Sequence, residues 1–307
     1  MLQQTQVKTV LPYYHRFLRT FPTIKAVDRA SKEKVLALWS GLGYYRRAEN
    51  LKKAASIVMR EYGGKLPREF DALRRLPGVG SYTAGALMSI AFHQAYPALD
   101  GNTRRVLARL FDIREEFDLR EISKRLVSRS RPGEFNQALM ELGSTICLPR
   151  NPSCPVCPLA RFCATRGSGQ SQLKRLSSAK RRIKKIEWPL VVIENRGKIL
   201  LRRRPLDGML GGLWEVPGGE RENGETLKSA LYRHLNGLAQ GVKAHSFVGE
   251  IRHRITRYMI RAPVFLCSDQ TKIRLPHQRW RWFPLSTLRR YPLSSLSLKA
   301  IRLATKK

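Results

Sequence analysis

Four cysteines fall within 17 residues near the middle of this 307-residue chain: Cys147, Cys154, Cys157 and Cys163, in a C-x6-C-x2-C-x5-C array. Pro149, Pro152, Pro155 and Pro158 fix the backbone between them. Four thiolates on so short a loop serve a metal centre, and they force the chain into a compact turn at that point. Zinc with four sulfurs is the generic reading of such a cluster, and an iron–sulfur centre uses the same donors. A secreted disulfide framework would not concentrate its cysteines this way. The fifth, Cys267, stands apart and reads as a buried thiol.

Upstream, Leu76-Pro77-Gly78-Val79-Gly80 lies between two helical patterns. Pro77 fixes its own φ, and Gly78 and Gly80 can take the positive φ values that side chains resist. Ser81 is the expected N-cap of a helix carrying Ala84, Leu87, Met88 and Phe92 at helical spacing. A helix N-terminus behind a glycine turn suits a phosphate, yet a helix–turn–helix corner without a ligand reads the same. The stretch ends at Leu99-Asp100-Gly101-Asn102, ahead of a second helix over 103–110. Asp100 has two compatible readings. It is placed as an N-cap, and a carboxylate fixed there suits a sugar developing positive charge at C1′.

Charge narrows the partners. Fifty-eight Lys and Arg against 23 Asp and Glu leave a net +35, a field that favours polyanions. The sequence has no run of 18 apolar residues and no signal-peptide pattern at its start, so a soluble, intracellular nucleic-acid binder is expected, with no membrane partner.

Along the chain, helical spacing begins at once, with Val7, Val10, Leu11, Tyr14 and Leu18 on one face, of which Val7, Val10 and Leu11 are expected to leave apolar surface exposed. Ser31 caps a helix over 32–39 with Val35, Leu36 and Trp39 inward. Gly41-Leu42-Gly43-Tyr44-Tyr45-Arg46-Arg47 then sets glycines and aromatics beside paired arginines. Such a loop suits a ring wedged between bases, or it packs its tyrosines locally. Helices are expected over 45–62, from Pro67, over 119–128 and over 134–147, where Gln137 and Glu141 share a face. From Gly167 the composition turns to Gly, Ser and Gln, then to seven Lys or Arg between Lys174 and Lys185, a flexible basic linker. After Trp188 the period becomes that of strands: a hairpin over 190–203, then strands near 247–252, 258–266 and 280–283. A helix over 227–236 is capped by Thr226 and Gly237.

Taken together, LQQT at Leu2–Thr5, GLGYY, LPGVGSYTAGA, Asp100 and the cysteine spacing resemble the MutY-type adenine DNA glycosylases of the helix-hairpin-helix base-excision superfamily. The resemblance implies a multidomain chain: an all-α helix-hairpin-helix domain with an iron–sulfur loop over 1–166, a basic linker over 167–186, and an α+β Nudix-like domain over 187–307. It implies one [4Fe–4S] cluster on Cys147, Cys154, Cys157 and Cys163. Gln3, Gln4, Tyr44, Leu76, Gly78, Val79, Gly80 and Tyr82 would contact DNA, with Tyr44 inserted beside the lesion base. Asp100 would be the catalytic aspartate, and Gln137 part of the adenine pocket. Thr256 and Arg257 fall where the family reads the opposite base with a Phe-Ser-His motif; Ile255 and Arg257 replace its Phe and His. The family's general-acid glutamate would fall two residues ahead of Met1. This leads to the expectation of a start assigned too late and of a poor glycosylase as written, unless Glu141 supplies the proton.

The implied function is hydrolysis of the N-glycosidic bond of adenine paired with 8-oxoguanine or guanine in double-stranded DNA. The enzyme would be a monomer in the bacterial cytoplasm, at the nucleoid. Endonuclease III-type lyases carry lysine where this chain has Tyr82, which implies a monofunctional enzyme. The GGLWEVPGGE string resembles Nudix folds, but the helix LKSALYRHLNGLA has none of the carboxylates a pyrophosphatase needs for magnesium. A DNA-binding protein without catalysis, and an endonuclease III-type lyase, are the alternatives.

Overall fold

The computed structural model describes residues 1–167, 183–205, 210–235, 238, 246–255, 257–268, 273, 275 and 279–305. In chain order the helices are α1 Val7–Thr20, α2 Ile24–Arg29, α3 Lys32–Trp39, α4 Arg46–Glu61, α5 Phe70–Arg75, α6 Ser81–Ala86, α7 Gly101–Leu110, α8 Glu116–Leu126 and α9 Pro132–Thr145. A π-helical turn, Leu87–Ala91, extends α6, and 3-10 turns at Cys154–Val156 and Ala160–Phe162 shape the cysteine loop. Strands β1 Lys184–Glu187, β2 Leu190–Asn195, β3 Lys198–Arg203 and β4 Trp214–Glu215 follow, then α10 Leu227–His234, β5 Ser246–Ile255, β6 Tyr258–Ser268, β7 Trp280–Pro284 and α11 Ser295–Thr305. By contacts the chain divides into two compact units, Met1–Ala55 with Arg181–Lys307, and Ser56–Lys180. Among the described residues no helix is long and apolar enough to cross a membrane.

The first unit joins the N-terminal helices to a mixed sheet. Ser31 caps α3 by accepting from Lys34 N, and Val35, Leu36 and Trp39 are buried as expected. In α1 the apolar face is divided, with Val7 and Leu11 exposed as expected and Val10 buried. Val10 and Phe17 are 4% and 6% exposed, whereas Val7, Leu11, Tyr14 and Leu18 face solvent. Aromatic anchoring accounts for the choice: Phe17 meets Phe21 and Trp39 edge-on at 5.1 and 6.0 Å. The sheet is built on two strands that each serve several partners. β6 takes β1 and then β2 in parallel along one edge and β5 antiparallel along the other. β3 pairs with β2, β4 and β7, all antiparallel. Arg196 and Gly197, at φ 48° and 72°, make the two-residue turn between β2 and β3. β1 begins at Lys184, so a stretch read as linker is already strand, because its backbone pairs with Tyr258–Arg261. The core on one side of the sheet gathers Trp214, Val216, Phe283, Leu293, Leu296 and Ile301. Cys267 is fully buried beside Val191, Ile193 and Leu200 on the other. The cap of α10 is Thr226, as expected, while Asn236 and Gly237 lie outside the described residues.

The second unit is helical. Leu73 and Leu76 are buried, and α7 and α9 share a core of Val106, Leu107, Ile113, Leu119 and Leu139. α7 and α9 touch backbone to backbone: a Cβ at Gly143 would lie 3.0 Å from Asn102 backbone atoms. Gly85 on α6 has the carbonyl of Pro97 against it in the same way.

Candidate functional site

In the second unit the turn is Leu76-Pro77-Gly78-Val79, closed by Val79 N donating to Leu76 O at 3.1 Å. Gly78 takes φ +82°, the third position of a type II turn behind proline. Gly80 does not: its φ is −88° and it occupies the N-cap of α6, with Ser81 as the first helical residue and no side-chain cap. The positive-φ demand thus falls on one glycine, because a single type II turn suffices to reverse the chain. Gly78, Gly80 and Ser81 are exposed, which leaves backbone at the surface.

Asp100 caps α7. Its Oδ1 accepts from Asn102 N (2.8 Å), Thr103 N (2.7 Å) and Thr103 Oγ1 (3.0 Å). All of these bonds fall on one oxygen, so the carboxylate is held while Oδ2 stays available. The extended segment before it is fixed from α9, where Asn136 accepts from Ala98 N at 3.0 Å and donates to Tyr96 O at 2.9 Å. Tyr82 sits half-buried, its hydroxyl donating to Met140 Sδ at 3.7 Å. Burial raises the pKa of that hydroxyl, with the charge of Asp100 adding to the effect, so it keeps its proton. Gln137 is exposed and donates to Gly133 O of its own helix at 3.1 Å.

From α7 two arginines reach the cysteine loop. Arg105 donates to Cys147 O (2.8 Å), Gly143 O (2.6 Å) and Asn102 Oδ1 (3.0 Å). Arg109, 5% exposed, donates to Cys147 Sγ (3.3 Å), Leu148 O (2.8 Å) and Pro149 O (3.2 Å). Cys147, Cys154, Cys157 and Cys163 line one cavity of about 40 Å³ with Arg109 and Thr165. That is several times the roughly 10–15 Å³ one water needs. Among the described residues no three Cys, His, Asp or Glu converge on a single ion.

In the first unit the predicted DNA-contacting residues are gathered by Arg47. Its guanidinium donates to the carbonyls of Met1 and Gln3, to Thr5 Oγ1 at 3.0 Å and to Gly43 O at 3.3 Å. It also lies between the rings of Trp39 and Tyr44, 5.6 and 5.3 Å from their centroids. Burial lowers its pKa from the usual arginine value. Tyr44 is 47% exposed, with a ring that packing leaves open to solvent on one side. Its φ is +49° and that of Gln4 is +59°, a left-handed backbone that side chains rarely adopt. Gln3 and Gln4 are exposed on the same turn. Arg257, after β5, donates to Tyr258 Oη at 3.1 Å, and Thr256 lies outside the described residues.

Sequence reasoning passed over Asn136, Arg105 and Arg109, and read Arg47 only as one of two arginines beside the loop. Each acts through backbone carbonyls or amides, which leave no residue-type signature. Paired glycines with arginine nearby were the available signal for Arg47.

Residues 1–132 match a family model described as HhH-GPD superfamily base excision DNA repair protein, and residues 190–303 match a NUDIX domain. Adenine DNA glycosylase of Rattus norvegicus is 34% identical over 358 residues, covering 98% of this chain and 69% of the rat protein. The Homo sapiens protein of that name is 34% identical, over 98% of this chain and 66% of its own length. Its Schizosaccharomyces pombe counterpart is 30% identical over 99% and 78%. Among solved structures, a thermostable thymine-DNA glycosylase aligns with TM-score 0.51 and 30% identity over 54% of this chain and 80% of its own.

Proposed function

Because the chain belongs to the adenine DNA glycosylase family, whose members are base-excision DNA repair hydrolases, we propose that it removes adenine paired with 8-oxoguanine or guanine in double-stranded DNA. The observation that carries this reading is Asp100. One carboxylate oxygen is spent on the helix cap, and the other remains for a sugar whose C1′ turns cationic as the bond to adenine breaks. Adenine must leave the stack to reach it. Tyr44 wedges beside the flipped base, with Gln3 and Gln4 against the duplex, and Leu76, Gly78, Val79, Gly80 and Tyr82 follow the backbone. Gln137 contributes to the base pocket once its bond to Gly133 O is exchanged. The leaving base takes a proton from a general acid. Water then adds to the sugar. Tyr82 offers no amine for a Schiff base, so strand cleavage does not follow.

Cys147, Cys154, Cys157 and Cys163 would hold one [4Fe–4S] cluster, supported by the shared cavity and by Arg109 beside a sulfur. When bound, the cluster fixes the loop as a single fold; glycosidic hydrolysis moves no electrons through it. In this reading the excision domain runs over 1–166 and the opposite-base domain over 187–307, extended forward by β1. Thr256 and Arg257 meet the opposite base. No metal-dependent pyrophosphatase chemistry is assigned to α10, which has no Asp or Glu.

The test is strand breakage in labelled duplexes carrying adenine opposite 8-oxoguanine, guanine or thymine. Breaks at the mispaired adenine that need alkali, with no borohydride-trapped adduct, are expected. Breaks without alkali together with an adduct would assign a lyase. Binding without alkali-labile sites would assign a DNA-binding protein instead.

A further inference from the structure

The loop that carries Tyr44 is bonded at its base to the C-terminal part of the first unit. Tyr45 Oη donates to Leu293 O at 2.8 Å and accepts from Gly41 N at 3.2 Å. Ser40 Oγ donates to the same carbonyl at 3.0 Å and accepts from Leu293 N at 3.3 Å. Two hydroxyls, one from each end of the 41–44 loop, therefore meet on one buried peptide of the Nudix-like domain. Tyr45 is 7% exposed and Leu293 fully buried. Burial raises the pKa of the Tyr45 hydroxyl, which keeps the donor protonated.

Leu293 is itself held by the sheet. Its neighbour Pro292 accepts from Trp214 N at 2.8 Å, and Ser294 N donates back to Trp214 O at 3.2 Å. Ser294 Oγ then caps α11 by accepting from Ser297 N at 3.1 Å. α11 lies on β5, where Gly249 has Leu303 Cδ2 at 3.2 Å from the site of a Cβ, and Lys299 faces His253 at 3.5 Å. A second contact repeats the coupling: Leu213 is fully buried within the cluster of Val35, Leu36, Trp39, Leu42 and Tyr45, and Arg203 pairs with Glu33 at 2.7 Å. The loop needs such support. Gly41, Gly43 and Tyr44 take φ of +95°, +75° and +49°, a run that persists only where surroundings over-determine it.

We propose that Ser40 and Tyr45 are positioning residues through which the C-terminal domain sets the Tyr44 ring for base extrusion. The inference rests on the reading of Tyr44 as the inserted ring. In it, the domain that meets the opposite base also holds the wedge, through β5, α11 and Leu293. Removing the hydroxyls frees the loop without touching any atom assigned to DNA.

The experiment uses the full chain and a duplex with 2-aminopurine next to the mispaired adenine, whose fluorescence rises on unstacking. Wild type should give the rise and Tyr44→Ala should lose it. In the double variant Ser40→Ala/Tyr45→Phe, the rise at saturating protein and the single-turnover excision rate should fall on the order of tenfold, with duplex affinity changed less than about threefold. Each single variant leaves one donor on Leu293 O and should fall between, so the series stands even where the double variant folds poorly. A purely structural role would lower melting temperature and affinity together with the rise. That result, or a wild-type rise in the double variant, overturns the proposal. A full rise in Tyr44→Ala would overturn the wedge reading and the proposal with it.

Discussion

Arg105 donates from Nε to the carbonyl of Cys147 at 2.8 Å, from the helix whose N-terminus Asp100 caps. The same guanidinium holds Asn102 Oδ1 and Gly143 O, so α7, α9 and the first cysteine of the loop meet on one side chain. Burial lowers its pKa from the usual arginine value. One side chain thus ties the cysteine loop to the helix that Asp100 caps.

Arg105→Gln should therefore loosen the join of α7 to α9 and to the cysteine loop. Charge-assisted bonds to carbonyls contribute about 1.5–3 kcal/mol each, and water repays part of that loss at this half-buried site. A loss of about 2–4 kcal/mol is expected, with lower iron content per chain. Thermal melting and metal analysis check it; wild-type values in both would show that the loop stands without this arginine.

Asp100→Asn separates cap from chemistry. Asparagine caps about as well as aspartate, and its Oδ1 accepts the same bonds from Asn102 and Thr103. Melting should be nearly unchanged, while single-turnover excision should drop roughly 10²–10³-fold because the charge is gone. Excision at the wild-type rate would reduce Asp100 to a cap.

Acidification should destabilise the first unit through two histidines. Burial lowers the pKa of His234, whose ring fills the space at Gly219, and of His253, which also faces Lys299. A depressed folded pKa means the unfolded chain binds protons first. The stability is then whole above about pH 6.5 and is lost as pH falls through the lower folded values. Glu225, held at about 2 chiefly by its hydrogen bonds from Arg233, stays charged across that window. His234→Gln should flatten the fall in melting temperature between pH 7.5 and 5.5. An unchanged slope would assign the loss elsewhere.

How much of this was legible beforehand follows from where the information lies. Ser31, Thr226 and Asp100 announced their helices because capping is written in one side chain and the next three residues. The strands around Val191 and Ile260 showed in their apolar runs. The burial of Phe17 and Val10 in α1 did not, because only contact with Trp39 selects Phe17 over Leu18. β1 hid in a basic stretch, since its pairing partner is 74 residues away, Lys184 against Tyr258. The site divided the same way: Asp100 and the cysteines carried signatures, whereas Arg47, Arg105, Asn136 and Tyr45 act through backbone atoms supplied by distant sequence.

Gly85→Ala tests whether α6 sets the distance between Tyr82 and Asp100. A Cβ at Gly85 would lie 2.2 Å from Pro97 O, 3.1 Å from Pro97 C and 3.4 Å from Ala98 Cα. All three are backbone atoms, so no flexible side chain can yield. The 97–98 segment cannot retreat cheaply either, because Asn136 accepts from Ala98 N and donates to Tyr96 O. Overpacking of this kind costs about 1–3 kcal/mol, and the shift that relieves it moves Asp100, two residues on. Excision should fall by roughly 10–10²-fold, since misplacement of about 1 Å is enough for that. Gly101→Ala serves as the control for stability. Its Cβ meets nothing within 4 Å at the first position of α7, and alanine there should melt at or above the wild-type temperature. If Gly85→Ala melts and excises as the wild type does, the 97–100 segment moves freely on α6, and Asn136 and the α7 cap alone position the aspartate.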